Sequence, residues 1–173
     1  MMDRVLVIGP NGAGKTTFSL VLSRITGLPL THLDRLFWTG HWETRPEAEF
    51  DEMLLEVLHR PRWIIDGNYG RTIPLRAGFC DTLIFLDVSA PRCLLGILSR
   101  VLRNYGVTRP DMGGDCPERL DPDFLRNALH MPGRVRSRYD RMEKDPAFSH
   151  VTFIRLKGRR AANRFLRNLA HPQ

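Results

Sequence analysis

The sequence predicts an α/β fold, in which helices cover both faces of a parallel β-sheet. Five short apolar segments that indicate strands alternate with segments whose apolar residues recur at helical spacing. Two of these strands, residues 63–67 and 82–87, are apolar on both faces, which is typical of central strands in a parallel sheet. A glycine-rich loop at residues 9–16 joins the first strand to the first helix. Such an alternation also predicts right-handed crossovers between the strands.

The glycine-rich loop has the sequence GPNGAGKT and matches the pattern G-x-x-x-x-G-K-[ST] at every position. It follows an apolar strand at residues 4–8 and precedes a helical apolar stripe over residues 18–25. Because glycine has no Cβ, the backbone N–H groups of this loop can surround a phosphate, and the helix N-terminus adds a partial positive charge. Strand, loop and helix together therefore predict a nucleoside-triphosphate site.

The pattern also assigns roles to individual residues of the loop. Lys15 is expected to reach the β- and γ-phosphates and to act in catalysis, and the Thr16 hydroxyl is expected to bind Mg²⁺. The predicted cofactors are thus ATP and Mg²⁺. The residues predicted to bind the nucleotide are Gly9, Asn11, Gly12, Ala13, Gly14, Lys15, Thr16 and Thr17.

The first half of the chain continues the alternation. A weak second strand, residues 28–33, ends before Asp34 and leads into an aromatic loop that contains Trp38 and Trp42. A helix with a regular apolar stripe is predicted from residue 44 to residue 60, before the third strand. The fourth strand is followed by a helix from about residue 91 to 105, whose inward residues are predicted to be Leu94, Leu98, Val101, Leu102 and Tyr105.

The second half contains an irregular segment before the last strand. Its glycine and proline content predicts a mobile excursion over about residues 106–133, in which a helix begins at Asp121 and stops at Pro132 and Gly133. A second helix over residues 134–145 is expected next. The fifth strand, residues 151–154, and an amphipathic helix complete the alternation.

Length and composition predict a single domain that spans residues 1–173. No apolar stretch approaches the roughly 20 residues that a membrane helix needs, and the N-terminus lacks the layout of a signal peptide. The three cysteines have no metal-site spacing, which indicates reduced thiols. We therefore expect a soluble, cytoplasmic protein with no membrane partner.

The net charge of +7 is concentrated in the second half of the chain. Residues 1–99 carry 10 Lys and Arg against 11 Asp and Glu, whereas residues 100–173 carry 16 against 8. Nearly all of the excess is arginine. Such a basic half fits a nucleic-acid surface, and it equally fits a site that binds phosphates through guanidinium groups. Charge alone does not decide between the two.

The phosphate loop is shared by several classes of protein, and most of them need a further motif. A GTPase needs an N/T-K-x-D guanine motif, and none of the three lysines stands in one. A transporter ATPase needs an LSGGQ-like signature, and a helicase needs a much longer chain. A small phosphotransferase is the class that remains.

Five segments carry a family resemblance: GPNGAGKTT, HLDRLFW, WIIDGNYGR, DTLIFLD followed by PRCL, and TRPDMGGDCPER. Together they resemble the bacterial DNA topology modulation protein family, a branch of the adenylate kinase-like and shikimate kinase-like P-loop proteins. The resemblance extends over nearly the whole chain. It implies a three-layer P-loop NTPase fold with a five-stranded parallel sheet in the order 2-3-1-4-5 and an arginine-bearing lid.

The resemblance implies roles for residues at the ends of two strands. Asp66 resembles the acidic residue that holds Mg²⁺ through water in adenylate kinases, although a turn cap is the alternative. Asp34 resembles the catalytic aspartate that orients or deprotonates an acceptor hydroxyl, with a loop cap as the alternative. Arg71 stands one residue further from Asp66 than the acceptor-binding arginine of adenylate kinases. Trp38 and Trp42 can stack on an acceptor base or sugar, or serve only in packing.

Arginines supply the remaining predicted contacts. Arg109, followed by proline, resembles the lid arginine of shikimate kinases, and at least one of Arg100, Arg103, Arg109 and Arg119 is expected to contact phosphate. Arg100 and Arg109 are assigned to catalysis and Arg103 to nucleotide binding. Arg155 and Arg159 follow the fifth strand, where related kinases hold adenine. The alternative for both is a solvated basic residue.

The function expected from these features is that of an ATP- and Mg²⁺-dependent kinase of a small hydroxylated metabolite or a nucleoside-like or nucleotide-like acceptor. An ATP-binding regulator associated with nucleic acid is the alternative, with DNA binding that is weak and sensitive to salt. A protein that binds nucleotide without turnover is a third possibility. The sequence leaves the acceptor, the choice between ATP and GTP, and the oligomeric state open.

Overall fold

The computed structural model describes residues 2–171 and contains a five-stranded parallel sheet between two layers of helices. The strands are β1 (Arg4–Ile8), β2 (Leu30–His32), β3 (Trp38–Gly40), β4 (Glu43–Thr44), β5 (Trp63–Asp66), β6 (Thr82–Asp87) and β7 (Thr152–Lys157). The helices are α1 (Lys15–Thr26), α2 (Leu33–Phe37), α3 (Glu47–Leu58), α4 (Ile73–Phe79), α5 (Ala90–Asn104), α6 (Pro122–Glu143) and α7 (Gly158–Ala170).

The sheet has the strand order β2-β5-β1-β6-β7, and all four of its strand pairs are parallel. Counted along the chain, its five strands therefore lie in the order 2-3-1-4-5, which confirms the predicted fold class. The register aligns Leu6 with both Ile65 and Leu83 and places His32 beside Asp66. Because the carboxyl ends of parallel strands share one edge, the segments after β1, β2 and β5 meet there.

Successive residues of β1 face opposite layers, because side chains alternate along a strand. Leu6 and Ile8 pack with residues of α3, α4 and α6, whereas Val5 and Val7 pack with residues of α1 and α7. Both sides of this strand are fully buried. The resulting three layers hold the carboxyl edge of the sheet rigidly in place.

Helix α5 turns a different face inward from the one that the sequence predicts. Its buried residues are Cys93, Ile97 and Val101, spaced four apart, whereas Leu102 is 83% exposed and the following Tyr105 is 70% exposed. The prediction was wrong for Leu102 and Tyr105 because apolar residues lie on two sides of this helix, and periodicity alone cannot choose between two apolar sides.

Helix α6 is continuous where the sequence predicts a break. Asp121 caps it by accepting hydrogen bonds from the N–H groups of Asp123 and Phe124, at 2.9 and 3.0 Å. Proline at an internal position costs a backbone hydrogen bond. Here, however, the Pro132 ring belongs to the buried stripe of the helix, which consists of Ala128, Pro132, Val135, Tyr139 and Met142. The irregular excursion is therefore limited to residues 105–121, called the lid below.

Candidate active site

The phosphate loop is packed directly against helix α5. Gly12 and Gly14 have φ angles of 77° and 93°, in the left-handed region that favours glycine. A Cβ built on Gly12 would lie 2.1 Å from the carbonyl oxygen of Cys93, and one built on Gly96 would lie 2.2 Å from the carbonyl oxygen of Gly12. Glycine is thus needed on both sides of this contact, and the contact fixes the loop.

Lys15 lies folded against its own loop. Its Nζ donates a hydrogen bond to the carbonyl oxygen of Pro10 at 3.2 Å. Burial lowers the pKa of Lys15, and the carboxylates of Asp66 and Asp34 oppose that shift. A cation held near two carboxylates inside the cavity is placed to turn toward a phosphate that enters the loop.

Asp66 ends β5 with one oxygen paired and the other free. Its Oδ1 lies 2.9 Å from His32 Nδ1, while its Oδ2 is buried and has no hydrogen-bond partner among residues 2–171. Burial opposes ionisation of His32, but the hydrogen bond and charge of Asp66 raise the pKa of His32. Asp66 is only 4% exposed, and a buried carboxylate oxygen without a partner is costly. Together with the Thr16 hydroxyl it supplies the hard oxygen donors that suit Mg²⁺, so the residues fit that ion.

Asp34 lies in the first turn of α2 and lines the same cavity. Its Oδ1 accepts a hydrogen bond from the Tyr69 hydroxyl at 2.6 Å. Burial raises the pKa of Asp34, and the Tyr69 hydrogen bond and the charges of Lys15 and Arg109 partly offset that rise. Tyr69 was not predicted as a site residue, although it stands in the segment WIIDGNYGR that carried the resemblance.

Aromatic side chains form the wall around Asp34. Phe37 and Tyr69 have ring centroids 4.6 Å apart, and the rings of Trp38 and Trp42 meet edge to face at 5.3 Å. The short β3–β4 hairpin, which the sequence did not reveal, carries both tryptophans. Trp42 also donates from Nε1 to the carbonyl oxygen of Pro117 at 3.2 Å, so it binds the lid as well as lining the cavity.

Two buried lid carboxylates hold the arginines that the sequence singled out. Glu118 Oε1 lies 2.8 Å from Arg100 Nη2, and Glu118 Oε2 lies 2.9 Å from Arg109 Nε. The Arg109 Nε–H is not aligned for a hydrogen bond. Arg109 also donates to Asp111 at 2.7 Å. Asp111 in turn accepts a hydrogen bond from the Thr16 hydroxyl at 3.1 Å. The lid therefore contacts the phosphate loop through Asp111.

The lid is also packed on the β3–β4 hairpin. A Cβ on Gly113 would lie 2.1 Å from the carbonyl oxygen of Trp38, and the backbone N–H of His41 donates to the carbonyl oxygen of Asp115 at 2.5 Å. Arg35 donates from Nε to the carbonyl oxygen of Pro110 at 2.8 Å. These contacts hold the lid against α2 and the hairpin, whose tryptophans line the cavity with Asp34.

A single cavity of about 980 Å³ connects the phosphate loop with Asp34. The structure brings most of the predicted residues to its lining, namely Asn11, Gly12, Ala13, Gly14, Lys15, Thr16, Thr17, Asp34, Trp38, Trp42, Asp66, Arg100, Arg103, Arg109, Arg119 and Arg159. Gly9 lies behind the loop, against Leu86. Residues that line the cavity without having been predicted include Asn68, Tyr69, Asp111 and Glu118.

Besides Gly9, two predicted residues are not brought to this cavity. Arg71 makes a bidentate ion pair with Asp51 on the surface, at 2.7 and 2.8 Å. Arg155 is paired with Asp87 and Asp140, and its guanidinium lies over the Phe85 ring at 5.5 Å. Arg155 stands one strand position away from Leu156, which packs toward α7, and so it faces the opposite layer from Arg159.

Comparison with solved structures shows the fold class. The chain superposes on shikimate kinase from Bacteroides thetaiotaomicron with a TM-score of 0.54 and 21% identity, covering 98% of this chain and 97% of that one. It superposes on shikimate kinase from Acinetobacter baumannii in complex with shikimate with a TM-score of 0.57 and 17% identity, covering 98% and 91%. The fold is thus that of the shikimate kinase-like P-loop proteins.

Sequence comparisons add no closer relative. No protein-family model matches the chain, and the search of curated proteins finds no significant match. Among the helices of residues 2–171, none has the length and apolar character required to span a bilayer.

Proposed function

We propose that this chain is an ATP- and Mg²⁺-dependent kinase that phosphorylates a hydroxyl group of a small molecule. One observation carries the proposal: a single cavity is lined both by the phosphate loop and by a partly buried carboxylate, Asp34, whose charge interacts with that of Lys15. Phosphoryl transfer depends mainly on positioning and on neutralising charge, and a cavity of this kind can do both.

The donor end is suited to a nucleoside triphosphate. The loop amides and Lys15 would bind the phosphates, with Arg100 and Arg109 close by on the lid side. Thr16 and Asp66 are the residues that would hold Mg²⁺, which supplies charge neutralisation of the phosphates when bound. Arg159, which lines the cavity from α7, is the candidate to contact the nucleoside.

At the acceptor end, Asp34 would act as the general base. The Tyr69 hydroxyl occupies Oδ1, so Oδ2 remains to accept the proton of the acceptor hydroxyl. As that proton leaves, the acceptor oxygen bonds to the γ-phosphorus, and the bond from this phosphorus to the β,γ-bridging oxygen breaks and releases ADP. Because a general base works best when its pKa lies near the operating pH, the raised pKa of Asp34 suits this role.

The acceptor wall favours an uncharged, hydroxylated ring such as a nucleoside or a sugar. Its aromatic side chains offer faces and edges for stacking. Nearby guanidinium groups are already engaged: Arg35 binds Pro110, Arg71 binds Asp51, and buried Arg76 donates to the carbonyl oxygens of Gly67, Asn68 and Tyr69. Arg119, which lies over the Trp42 ring and lines the cavity, is the candidate cation for an anionic acceptor.

The placement of arginines supports a kinase over a nucleic-acid regulator. Five arginines of the basic half line the cavity: Arg100, Arg103, Arg109, Arg119 and Arg159. A kinase needs arginines that converge on one cavity, whereas a DNA-binding surface needs a continuous stripe of basic residues. Any affinity for DNA should be weak and should fade between about 50 and 200 mM salt. Sequence-selective binding that persists at physiological salt would favour the regulator.

The test is a thermal-shift screen of nucleosides, sugars and small acids in the presence of Mg²⁺ and a non-hydrolysable ATP analogue, because ligands of the native state raise the unfolding midpoint. Each stabilising compound is then assayed for ADP release with ATP. We expect acceptor-dependent ADP release by the wild type and none by Lys15→Ala, with an unchanged fold. ATP affinity that Lys15→Ala leaves unchanged in calorimetry would contradict the proposed phosphate site.

A further inference from the structure

Asp111 belongs to the lid, yet its carboxylate lies at the phosphate loop. It is 95 residues from Thr16 in sequence, and its Oδ2 accepts the hydrogen bond of the Thr16 hydroxyl at 3.1 Å. The residue is only 7% exposed. A charged side chain hidden to this degree needs compensation, and Arg109 provides part of it at 2.7 Å.

The hydrogen bonds of Asp111 leave one of its oxygens open. Both bonds, from Thr16 and from Arg109, go to Oδ2, and Oδ1 accepts none among residues 2–171. Asp66, which lines the same cavity, likewise has a buried Oδ2 without a partner. Two open carboxylate oxygens therefore line the cavity that contains the Thr16 hydroxyl.

We infer that Asp111 is a second carboxylate ligand of the Mg²⁺ ion, brought to the ion by the lid. Neighbouring ligands of an octahedral Mg²⁺ ion lie about 3 Å apart, given metal–oxygen distances of about 2.1 Å. Thr16 Oγ1 and Asp111 Oδ2 are 3.1 Å apart through their hydrogen bond, so the Asp111 carboxylate, whose Oδ1 is open, is placed beside an ion bound to Thr16. Mg²⁺ is commonly bound through one or two carboxylates together with substrate phosphates. This inference rests on the proposed function, because it requires a metal–nucleotide complex in the cavity.

A competing role for Asp111 predicts the opposite effect on nucleotide binding. Its negative charge could substitute for a nucleotide phosphate between Thr16 and Arg109, in which case ATP would have to displace it. Removing the charge would then strengthen nucleotide binding with and without metal. If Asp111 is a ligand, removing the charge weakens only the part of the affinity that depends on Mg²⁺.

The experiment measures the affinity for a non-hydrolysable ATP analogue by calorimetry, in Mg²⁺ and in EDTA. We expect Asp111→Asn to reduce the Mg²⁺-dependent gain in affinity about tenfold or more, the usual loss when a metal site is impaired, and to leave the affinity in EDTA within twofold. The matched control is Asp115→Asn, which removes another lid carboxylate that accepts from Thr108 at 2.8 Å. It should retain the full gain.

A second measurement uses the wild type and is independent of any variant's folding. If Asp111 binds the ion, adding Mg²⁺ to the nucleotide complex should slow amide hydrogen exchange in the lid beyond the effect of nucleotide alone. Lid exchange that does not respond to Mg²⁺, or an Asp111→Asn variant that keeps the whole Mg²⁺ gain, would overturn the inference. Tighter binding by Asp111→Asn in both conditions would also overturn it.

The same data separate this inference from the proposed function. A wild type that binds no nucleotide, or binds it equally well in Mg²⁺ and in EDTA, contradicts the proposed function and removes the basis of the inference. A wild type that shows the Mg²⁺ gain, with Asp111→Asn unchanged, contradicts the inference alone.

Discussion

Two parts of the cavity are built in different ways: the part lined by the phosphate loop, which is the proposed donor end, and the part around Asp34, which is the proposed acceptor end. At the proposed donor end the loop is one segment continuous with β1 and α1, and Lys15 donates to Pro10, five residues away, although α5 and Asp111 also contact this loop. At the acceptor end the wall is assembled from distant segments: Arg35 binds Pro110 and Trp42 binds Pro117, each across 75 residues. The comparison teaches that one short segment supplies most of the predicted phosphate-binding groups, with α5 and Asp111 packed on it from outside, whereas the wall around Asp34 is assembled from several segments that the lid holds together.

The largest expected effect concerns the acceptor end, where Asp34→Asn removes the proposed base. The substitution retains the size of the side chain but loses its charge. We expect phosphoryl transfer to fall by roughly 10²–10⁴, the usual contribution of general acid–base catalysis, while ATP affinity stays nearly unchanged. Steady-state kinetics on an acceptor found by the screen, together with calorimetry of ATP binding, measures both.

A suitable control for Asp34→Asn is Asp51→Asn, which alters a carboxylate on the surface beside Arg71. This control should have little effect on turnover. A loss of less than about fivefold for Asp34→Asn would leave this residue as a structural partner of Tyr69, because phosphoryl transfer can rely on positioning alone.

The next effect concerns the donor end and is a loss of stability. In Gly12→Ala the new methyl group would meet the Cys93 carbonyl, and the backbone is in the left-handed region. We expect a loss of about 3 kcal/mol in the free energy of unfolding and loss of ATP binding. Gly14→Ala is the matched control, because its φ of 93° is similar but no atom lies within 4 Å. It should cost about 1–2 kcal/mol. Equal costs in urea unfolding would contradict the tight contact with α5.

The donor end is also the part that could be predicted from the sequence. The loop, its flanking strand and helix and the role proposed for Asp66 depend on residues that are adjacent in the chain or end neighbouring strands, and Asp34 of the proposed acceptor end was predicted in the same way. Parallel strand ends lie at one edge, so local patterns were sufficient to place these residues together. The order of the sheet followed from the family resemblance.

The acceptor end could be predicted only in part. Trp38 and Trp42 were identified because the segment that contains them is rich in aromatic residues. The hairpin that carries them was not predicted, because its strands are only three and two residues long. Asp111 and Glu118 were missed because each acquires its partners only when the lid packs down. Arg155 was predicted near the nucleotide because the local sequence shows its position at the end of a strand. The layer of helices that its side chain faces depends instead on the register of β7 in the sheet.

A substitution at the lid–hairpin contact tests whether the acceptor end depends on lid closure. In Gly113→Ala the methyl group would meet the carbonyl oxygens of Trp38 and Arg35, at 2.1 and 2.7 Å. We expect the lid to separate from the hairpin, with faster amide exchange over residues 106–120. A loss of about tenfold in acceptor kcat/KM should accompany it, while ATP affinity changes little, since a misplaced closing element mainly impairs positioning.

Gly133→Ala is the comparison variant for the lid. It lies within α6, and no atom stands within 4 Å of the added methyl group, so alanine should stabilise the protein by about 0.5–1 kcal/mol. Its lid exchange should match that of the wild type. Lid exchange in Gly113→Ala that equals that of Gly133→Ala would mean that the lid is held by its ion pairs rather than by the hairpin.

The smallest expected effect is in pH dependence, and it tests how the aromatic wall prepares Asp34. Burial raises the pKa of Asp34, and the Tyr69 hydrogen bond lowers it. A base must be ionised to act, so kcat/KM should rise with pH as Asp34 loses its proton. Tyr69→Phe removes a bond that favours the ionised form, so the acid limb of the profile should move to higher pH. At neutral pH the loss should be only a few-fold. Because the folded state holds this proton more tightly than the unfolded state does, stability from this group decreases as pH rises through the folded pKa. Tyr69→Phe extends that decrease to higher pH. An acid limb that stays in place or moves down would show that Tyr69 serves the wall through its ring, stacked on Phe37, and not through its hydroxyl.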